Sequence, residues 1–218
     1  MTKLFLNAYS TVDILPLLKK VKISGRIGLL TTAQHINQLE NIQKAIPHSV
    51  IGGQVIGCEA HNALRIKDKV DNYLFIGTGK FHPIEIALAT NKDIYLLNPD
   101  SGNFSKITLK EIDEYVKRKQ GILRKFLMAD KIGVIITVKP GQYHAKQYFT
   151  IEKKIAMVHK LKALKNKQVY LFITDNISVN ELENYPDIQC WVNTACPRLK
   201  DDFLGKSVIN YQELPNDA

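Results

Sequence analysis

The sequence predicts an α/β fold, built as two tandem repeated small α/β domains with mostly parallel sheets. Three observations predict it. Short apolar runs that end in turn residues alternate with longer amphipathic stretches, the order expected of a layered α/β sheet. The pattern then restarts, with "KIGVIITVKPGQ" (131–142) standing in the second half where "RIGLLTTAQ" (26–34) stands in the first. The length, 218 residues, is enough to bury a core in each half.

In chain order, "RIGLLTT" (26–32) reads as a buried strand and is followed by a helical stretch from Gln34 to Ala45. "SVIGGQVIGC" (49–58) reads as a second strand running into a loop, and "HNALRIKDKV" (61–70) as a short helix. "NYLFIGTG" (72–79) and "DIYLLNPD" (93–100) are two more strands, with the helix "FHPIEIALAT" (81–90) between them. A long charged amphipathic helix, "LKEIDEYVKRKQGILRKFLMAD" (109–130), leads into the second half. There "QVYLFITD" (168–175) follows a basic helix over 145–165, "IQCWVNTAC" (188–196) takes the place of "NYLFIGTG", and "SVINYQEL" (207–214) that of "DIYLLNPD". The halves are offset by a little over ~100 residues. The expected organisation is residues 1–23 as a lead-in, 24–124 as one repeat domain and 125–218 as the other.

Hydrophobic content of 45% and charged content of 23% are ordinary for a globular chain. No apolar run reaches the ~18 residues of a membrane span, and the N-terminus lacks the layout of a signal peptide. A cytoplasmic protein is expected, in which three cysteines are thiols or metal ligands rather than a disulfide framework. The net charge of +9 admits either a lysine-rich solvated surface or an anionic partner. No basic motif interleaved with aromatics is present, so nucleic acid is not the expected partner.

Ligands of open α/β sheets bind at the carboxyl ends of the strands. That directs attention to "GCEAHN" (57–62), "GTGKFHP" (77–83), "NPDSG" (98–102), "VKPGQYH" (138–144) and "TACPRLKDD" (194–202). Cys190, inside an apolar strand, reads as a small buried hydrophobe. Cys58 and Cys196, at strand exits, read as either incidental thiols or ligands. Without a CxxC pair, a structural zinc site has little support. Gly77 and Gly79 sit in a strand-to-helix turn whose N–H groups could cradle an anion, although the P-loop spacing is absent. His82 reads as a polar contact or a helix cap. The "KPGQ" turn brings a cation and the Gln142 amide. Arg198 could clamp a carboxylate, and Asp201 and Asp202 could cap a following helix.

Together "LLTTAQH", "GGQVIGCEA", "YLFIGTGKFHPIEIALAT", "NPD", "KRKQGILRKFLMADKIGVIITVKPGQ" and "VNTACPRLKDD" resemble the diphthamide synthase family over nearly the whole chain, in the right order. The resemblance implies a noncanonical radical S-adenosylmethionine enzyme of three repeated α/β domains, each giving one cysteine to a 4Fe-4S cluster. It further implies cleavage of S-adenosylmethionine to a 3-amino-3-carboxypropyl radical, which adds to a histidine of elongation factor 2. Carried onto this sequence, Cys58 and Cys196 match the cluster ligands of the second and third domains. Gly77, Gly79, His82, Gln142 and Arg198 become candidates around S-adenosylmethionine.

The first domain and its cysteine have no counterpart, and "MTKLFLNAYS" (1–10) resembles the last strand of that domain. Three readings follow. The first is a subunit of a split synthase, with a partner chain supplying the third cysteine. The second is a non-catalytic paralogue that acts as a binding or scaffold partner. The third is a small-molecule-binding α/β protein. A basic RNA- or ribosome-associated protein is a further alternative from charge alone. The first is the expectation carried forward.

Overall fold

Two sheets, mostly parallel, hold the strands. The computed structural model describes residues 6, 8–55, 60–138, 151–164, 166–199 and 206–215. The chain divides into two compact units, Met1–Tyr115 and Val116–Ala218.

In the first unit a 3-10 helix, Leu15–Lys20, precedes β1 (Ile27–Thr31). A 3-10 turn, Ala33–Gln38, then runs into α1 (Leu39–Ala45), so the stretch expected as one helix from Gln34 begins with the tighter winding. β2 (Ser49–Gln54), α2 (His61–Arg65), β3 (Asn72–Ile76), α3 (Phe81–Thr90) and β4 (Asp93–Leu97) follow. A three-residue strand that the sequence reading lacked, β5 (Phe104–Lys106), closes the unit. The sheet order is β2-β1-β3-β4-β5, parallel except for the antiparallel β4–β5 pair.

α4 (Leu109–Met128) carries the chain across the boundary between the units. Thr108 and Glu111 form a capping box at its start: the Glu111 N–H donates to Thr108 Oγ1 at 3.2 Å, and the Thr108 N–H donates to Glu111 Oε2 at 2.7 Å. Tyr115 is buried in the first core, while Phe126 is buried in the second with Ile122 and Leu123 packed against it. The two compact units meet inside this helix, at residues 115 and 116, and the boundary expected near 124 lies in the same helix. The second unit continues with β6 (Lys131–Thr137), α5 (Ile151–Lys162), β7 (Gln168–Thr174), α6 (Val179–Glu183), β8 (Cys190–Asn193) and β9 (Val208–Asn210). Its order is β7-β6-β8-β9, all parallel.

The strand orders are the same: β1, β2, β3 and β4 correspond to β6, β7, β8 and β9. One packing device fixes the correspondence residue by residue. Gly28 of β1 pairs with Tyr73 of β3, and Gly133 of β6 pairs with Trp191 of β8. In each pair the ring lies over the glycine, and an added Cβ would stand 2.6 Å from a ring carbon. The wholly buried strands β1 and β8 are covered on both faces, as parallel sheets require. Alternation along β8 sends Cys190 and Val192 into one core with Phe126 and Leu161, and Trp191 into the other with Leu182. Among the described residues no helix is long and apolar enough to cross a membrane.

Candidate functional site

In each unit the chain reverses its direction of travel across the sheet between the first and third strands, which makes the exits of those strands the natural ligand crevice. In the first unit these are the exits of β1 and β3. Thr31 Oγ1 donates to the Ile76 carbonyl across the seam at 2.7 Å, fully buried. Beyond Ile76 the loop Gly77–Lys80 turns the chain into α3. Gly77 cannot be enlarged, because a Cβ there would meet the Phe75 ring at 2.9 Å. Gly79 has φ +74° with open space around it, so glycine is required there by backbone conformation rather than by room. His82 lies in the first turn of α3 and its ring packs against Phe75 and Phe81, with centroids 5.6 and 5.4 Å apart. It is not the cap of that helix; Lys80 occupies the N-cap position, with no side-chain capping bond. Lys80 itself is ion-paired with Glu111 of α4. That contact, helped by two bonds from Thr108, pushes the Glu111 carboxyl down to about 2. The loop's lysine is thus engaged by a carboxylate of α4.

In the second unit the matching crevice lies between the exits of β6 and β8. The β8 exit is pinned at every step. The buried Thr194 donates from Oγ1 to the Ile135 carbonyl at 2.8 Å, and from its N–H at 3.2 Å. Asn193, the last residue of β8, is buried; its Oδ1 accepts the Ala195 N–H at 2.9 Å and its Nδ2 donates to the Cys196 carbonyl at 2.9 Å. The same Nδ2 donates to Asn210 Oδ1 at 2.8 Å, and Asn210 Nδ2 donates to the Pro197 carbonyl at 3.1 Å. The Cys196 side chain emerges exposed from this fixed backbone, with the exposed Arg198 two residues on.

The other described cysteine has the opposite environment. Cys190 opens β8 rather than lying mid-strand, is fully buried, and its thiol is pushed up to about 12 by burial. It stays protonated and inaccessible at neutral pH. An iron–sulfur ligand must be a reachable thiolate, so Cys196 fits that role and Cys190 does not. Among the described residues no group of three or more His, Cys, Asp or Glu side chains gathers as a metal site.

Of the residues singled out in the sequence, Gly77, Gly79 and His82 meet at the β3 exit, and Cys196 and Arg198 share the β8 exit. Cys58 follows β2 in the sequence, and Gln142 with the rest of "KPGQ" follows β6; both lie outside the described residues, as do Asp201, Asp202 and Met1–Phe5. Sequence reasoning missed Asn193 and Asn210. Their signal is present in hindsight: the apolar runs "WVN" and "VIN" each end in an asparagine.

A family model for diphthamide synthesis proteins matches residues 2–214. The chain belongs to the diphthamide synthesis family. Within that family it is 29% identical to the 2-(3-amino-3-carboxypropyl)histidine synthase of Pyrococcus horikoshii, an alignment covering 97% of this chain and 64% of that protein. It is 31% identical to the synthase of the same name from Methanocaldococcus jannaschii, covering 88% of this chain and 51% of the relative. The crystal structure of Dph2 from Pyrococcus horikoshii with a 4Fe-4S cluster matches with a TM-score of 0.75 at 27% identity, over 94% of this chain and 62% of that one. The chain thus spans between half and two thirds of the length of these family members.

Proposed function

We propose that the chain is a subunit of a diphthamide synthase, a 3-amino-3-carboxypropyl transferase that modifies a histidine of elongation factor 2. Another polypeptide would supply the first domain and a third cysteine. The observation that carries this reading is the exposed thiol of Cys196 on a fixed strand-exit loop, in a chain matched by the family almost end to end. A relative of known structure is described with a 4Fe-4S cluster. On this reading Cys58 and Cys196 hold two of the cluster's irons as thiolates. When bound, the cluster supplies the electron that cleaves S-adenosylmethionine between its sulfur and γ-carbon.

The remaining roles belong to the chain's own groups. Gly77 and Gly79 open backbone N–H groups to the substrate, and His82 and Gln142 contribute polar contacts. Arg198, an exposed guanidinium beside Cys196, suits the substrate's carboxylate in bidentate fashion. A single-chain α/β binding protein would not need a reachable cysteine at this corner.

The test is anaerobic iron–sulfur reconstitution, with iron counting and electron paramagnetic resonance after reduction. It is done on this chain alone and with a cysteine-bearing first-domain chain. Loading only in the mixture, abolished by Cys58→Ala or Cys196→Ala and largely kept in Cys190→Ala, is the expected result. Equal loss from all three changes would sink the ligand assignment. No cluster under either condition would favour the non-catalytic binding partner instead.

A further inference from the structure

The register that aligns the two units sets Asn193 of β8 against Phe75 of β3, since each lies two residues beyond the ring that covers a glycine. It also sets Asn210 of β9 against Leu96 of β4, because Phe75 pairs with Leu96 and Asn193 pairs with Asn210. In the first unit this neighbouring pair is apolar and buried; in the second it is two amides, 1% and 3% exposed. Burying two amides where a phenylalanine and a leucine serve elsewhere is unfavourable unless every polar atom is used. Here they are used: three bonds go to the backbone around Cys196, one joins the two amides, and the Asn210 side chain also accepts the Glu213 N–H as the cap of a 3-10 turn, Tyr211–Glu213. Asn193 takes the Ala195 N–H and gives Nδ2 to the Cys196 carbonyl. Asn210 receives Asn193 Nδ2 and gives its own Nδ2 to the Pro197 carbonyl. The Leu199 N–H closes on the Cys196 carbonyl from the other side at 3.0 Å. Among the described residues, no buried pair of side-chain amides bonds to the glycine loop of the first unit.

We propose that Asn193 and Asn210 are positioning residues: a buried amide pair that holds the backbone on either side of Cys196, so that its exposed thiol is presented in one orientation before any metal arrives. The identity of what the thiol binds rests on the function proposed above; the clamp itself does not. A thiolate on a loop that must order as it binds would lose affinity to that ordering, and a fixed loop removes the loss.

The decisive variant is Asn193→Leu with Asn210→Leu in the full chain. The double change leaves the Ala195 N–H and the Cys196 and Pro197 carbonyls without these partners, which lowers stability, so the readout is where order is lost rather than how much stability is lost. Residue-resolved amide hydrogen exchange at Ala195 and Leu199 is read beside exchange in β6 and the thermal midpoint. The expected result is exchange at least ~10-fold faster at Ala195 and Leu199, with exchange in β6 changed far less and the midpoint lowered as it is in Thr194→Val. In the assembled enzyme, iron is expected to be lost correspondingly faster to a chelator. Thr194→Val, which removes a buried hydroxyl bond but not the clamp, is expected to lower the midpoint without freeing the loop. If the double variant fails to fold, Asn193→Asp takes its place, because it keeps the shape and the Ala195 acceptor while deleting both Nδ2 donors. Unchanged exchange at Ala195 and Leu199, or a loss of order shared equally by β6, would overturn the proposal. Should the assembled enzyme load no cluster, the proposed function fails while the exchange data still decide the clamp.

Discussion

At the first unit's β3 exit, Phe75 and Leu96 fill the space beneath a loop whose shape comes from Gly77 and Gly79, and whose lysine is tied to Glu111. At the equivalent β8 exit in the second unit, Asn193 and Asn210 occupy those positions and bond to the backbone around an exposed cysteine. The topology and the glycine-under-ring packing are common to both; the chemistry at the strand mouth is not. Cys196 stands in register with Thr78, not with Cys58, which follows β2 in the sequence. The two units therefore share one scaffold and differ in the groups they carry at the strand mouths. What was kept is what folds each unit, and what changed is what each unit offers to a ligand.

The largest effects should come from the kept part. Trp191 is buried over Gly133 and is ringed by Phe172 and Tyr185, with centroids 4.7 and 6.3 Å away. Trp191→Ala is expected to destabilise the second unit by about 3–5 kcal/mol, measured by urea unfolding followed by circular dichroism. Tyr73→Ala should cost the first unit a comparable amount, since Tyr73 is equally buried and also donates its hydroxyl to the Ala63 carbonyl at 2.6 Å. A negligible change in one unit beside a large one in the other would break the equivalence of the two.

A smaller and sharper version tests the glycines. Gly28→Ala and Gly133→Ala each place a methyl 2.6 Å from a ring carbon, and overpacking of this kind costs about 1–3 kcal/mol. Near-equal losses in urea midpoints would support a shared device. A marked asymmetry would mean that one ring can swing aside, with Trp191 the less free because two aromatic neighbours flank it.

These shared features were legible in the sequence because they are periodic and local. "RIG" and "KIG" open matching apolar runs, and turn residues mark where each strand stops. Helix α3 was legible from "FHPIEIALAT", with Pro83 tolerated in the first turn and Asn91 capping the end at φ 56°. β5 was not legible, because three residues at a sheet edge carry almost no pattern. The site was legible only in part. A cysteine at a strand mouth is visible in a string of letters, and so is a glycine turn. The amide pair beneath the cysteine is not, because Asn193 and Asn210 are neighbours only through the β8–β9 register. The use of Lys80 was hidden for the same reason, since its partner Glu111 is on another element 31 residues away.

The lead-ins to the two sheets also differ. A short 3-10 helix precedes β1, and from it Lys20 reaches the Gly102 carbonyl at 2.7 Å. The 20-residue α4 precedes β6, and Lys167 gathers the carbonyls at its end: Phe126 at 2.9 Å, Leu127 at 3.1 Å and Ala129 at 2.7 Å. The same ammonium lies 5.1 Å from the Phe126 ring centroid. A cation at a helix C-terminus that satisfies several carbonyls is worth about 1–2 kcal/mol when partly buried. Lys167→Met should lower second-unit stability by that amount in urea unfolding, and Lys20→Met should lower the first by less, having one carbonyl to lose.

The smallest effect should be present at neutral pH and vanish in acid. Glu111 is held down to about 2, first by the side-chain bond from Lys80 and then by the bonds from Thr108, against an ordinary value of 4.5. Its folded-state value lies below the unfolded one, so its stabilisation is complete above about pH 4.5 and fades as the pH falls toward about 2. The thermal midpoint of Glu111→Gln should therefore lie below that of the parent at neutral pH by a small, constant margin. That margin should shrink below about pH 4.5 and close near pH 2. Lys80→Ala should follow the same course, because it removes the first cause of the shift. At the second unit's corner the bonds between Asn193, Asn210 and the Cys196 loop are made by neutral amides and carbonyls, while the Asn210 N–H donates to Glu213, itself paired with Lys119 at 3.3 Å. Acid should then loosen the tie between α4 and the glycine loop of the first unit. A midpoint difference for Glu111→Gln that persisted undiminished to pH 2 would mean that the carboxylate's charge is not what ties α4 to the loop.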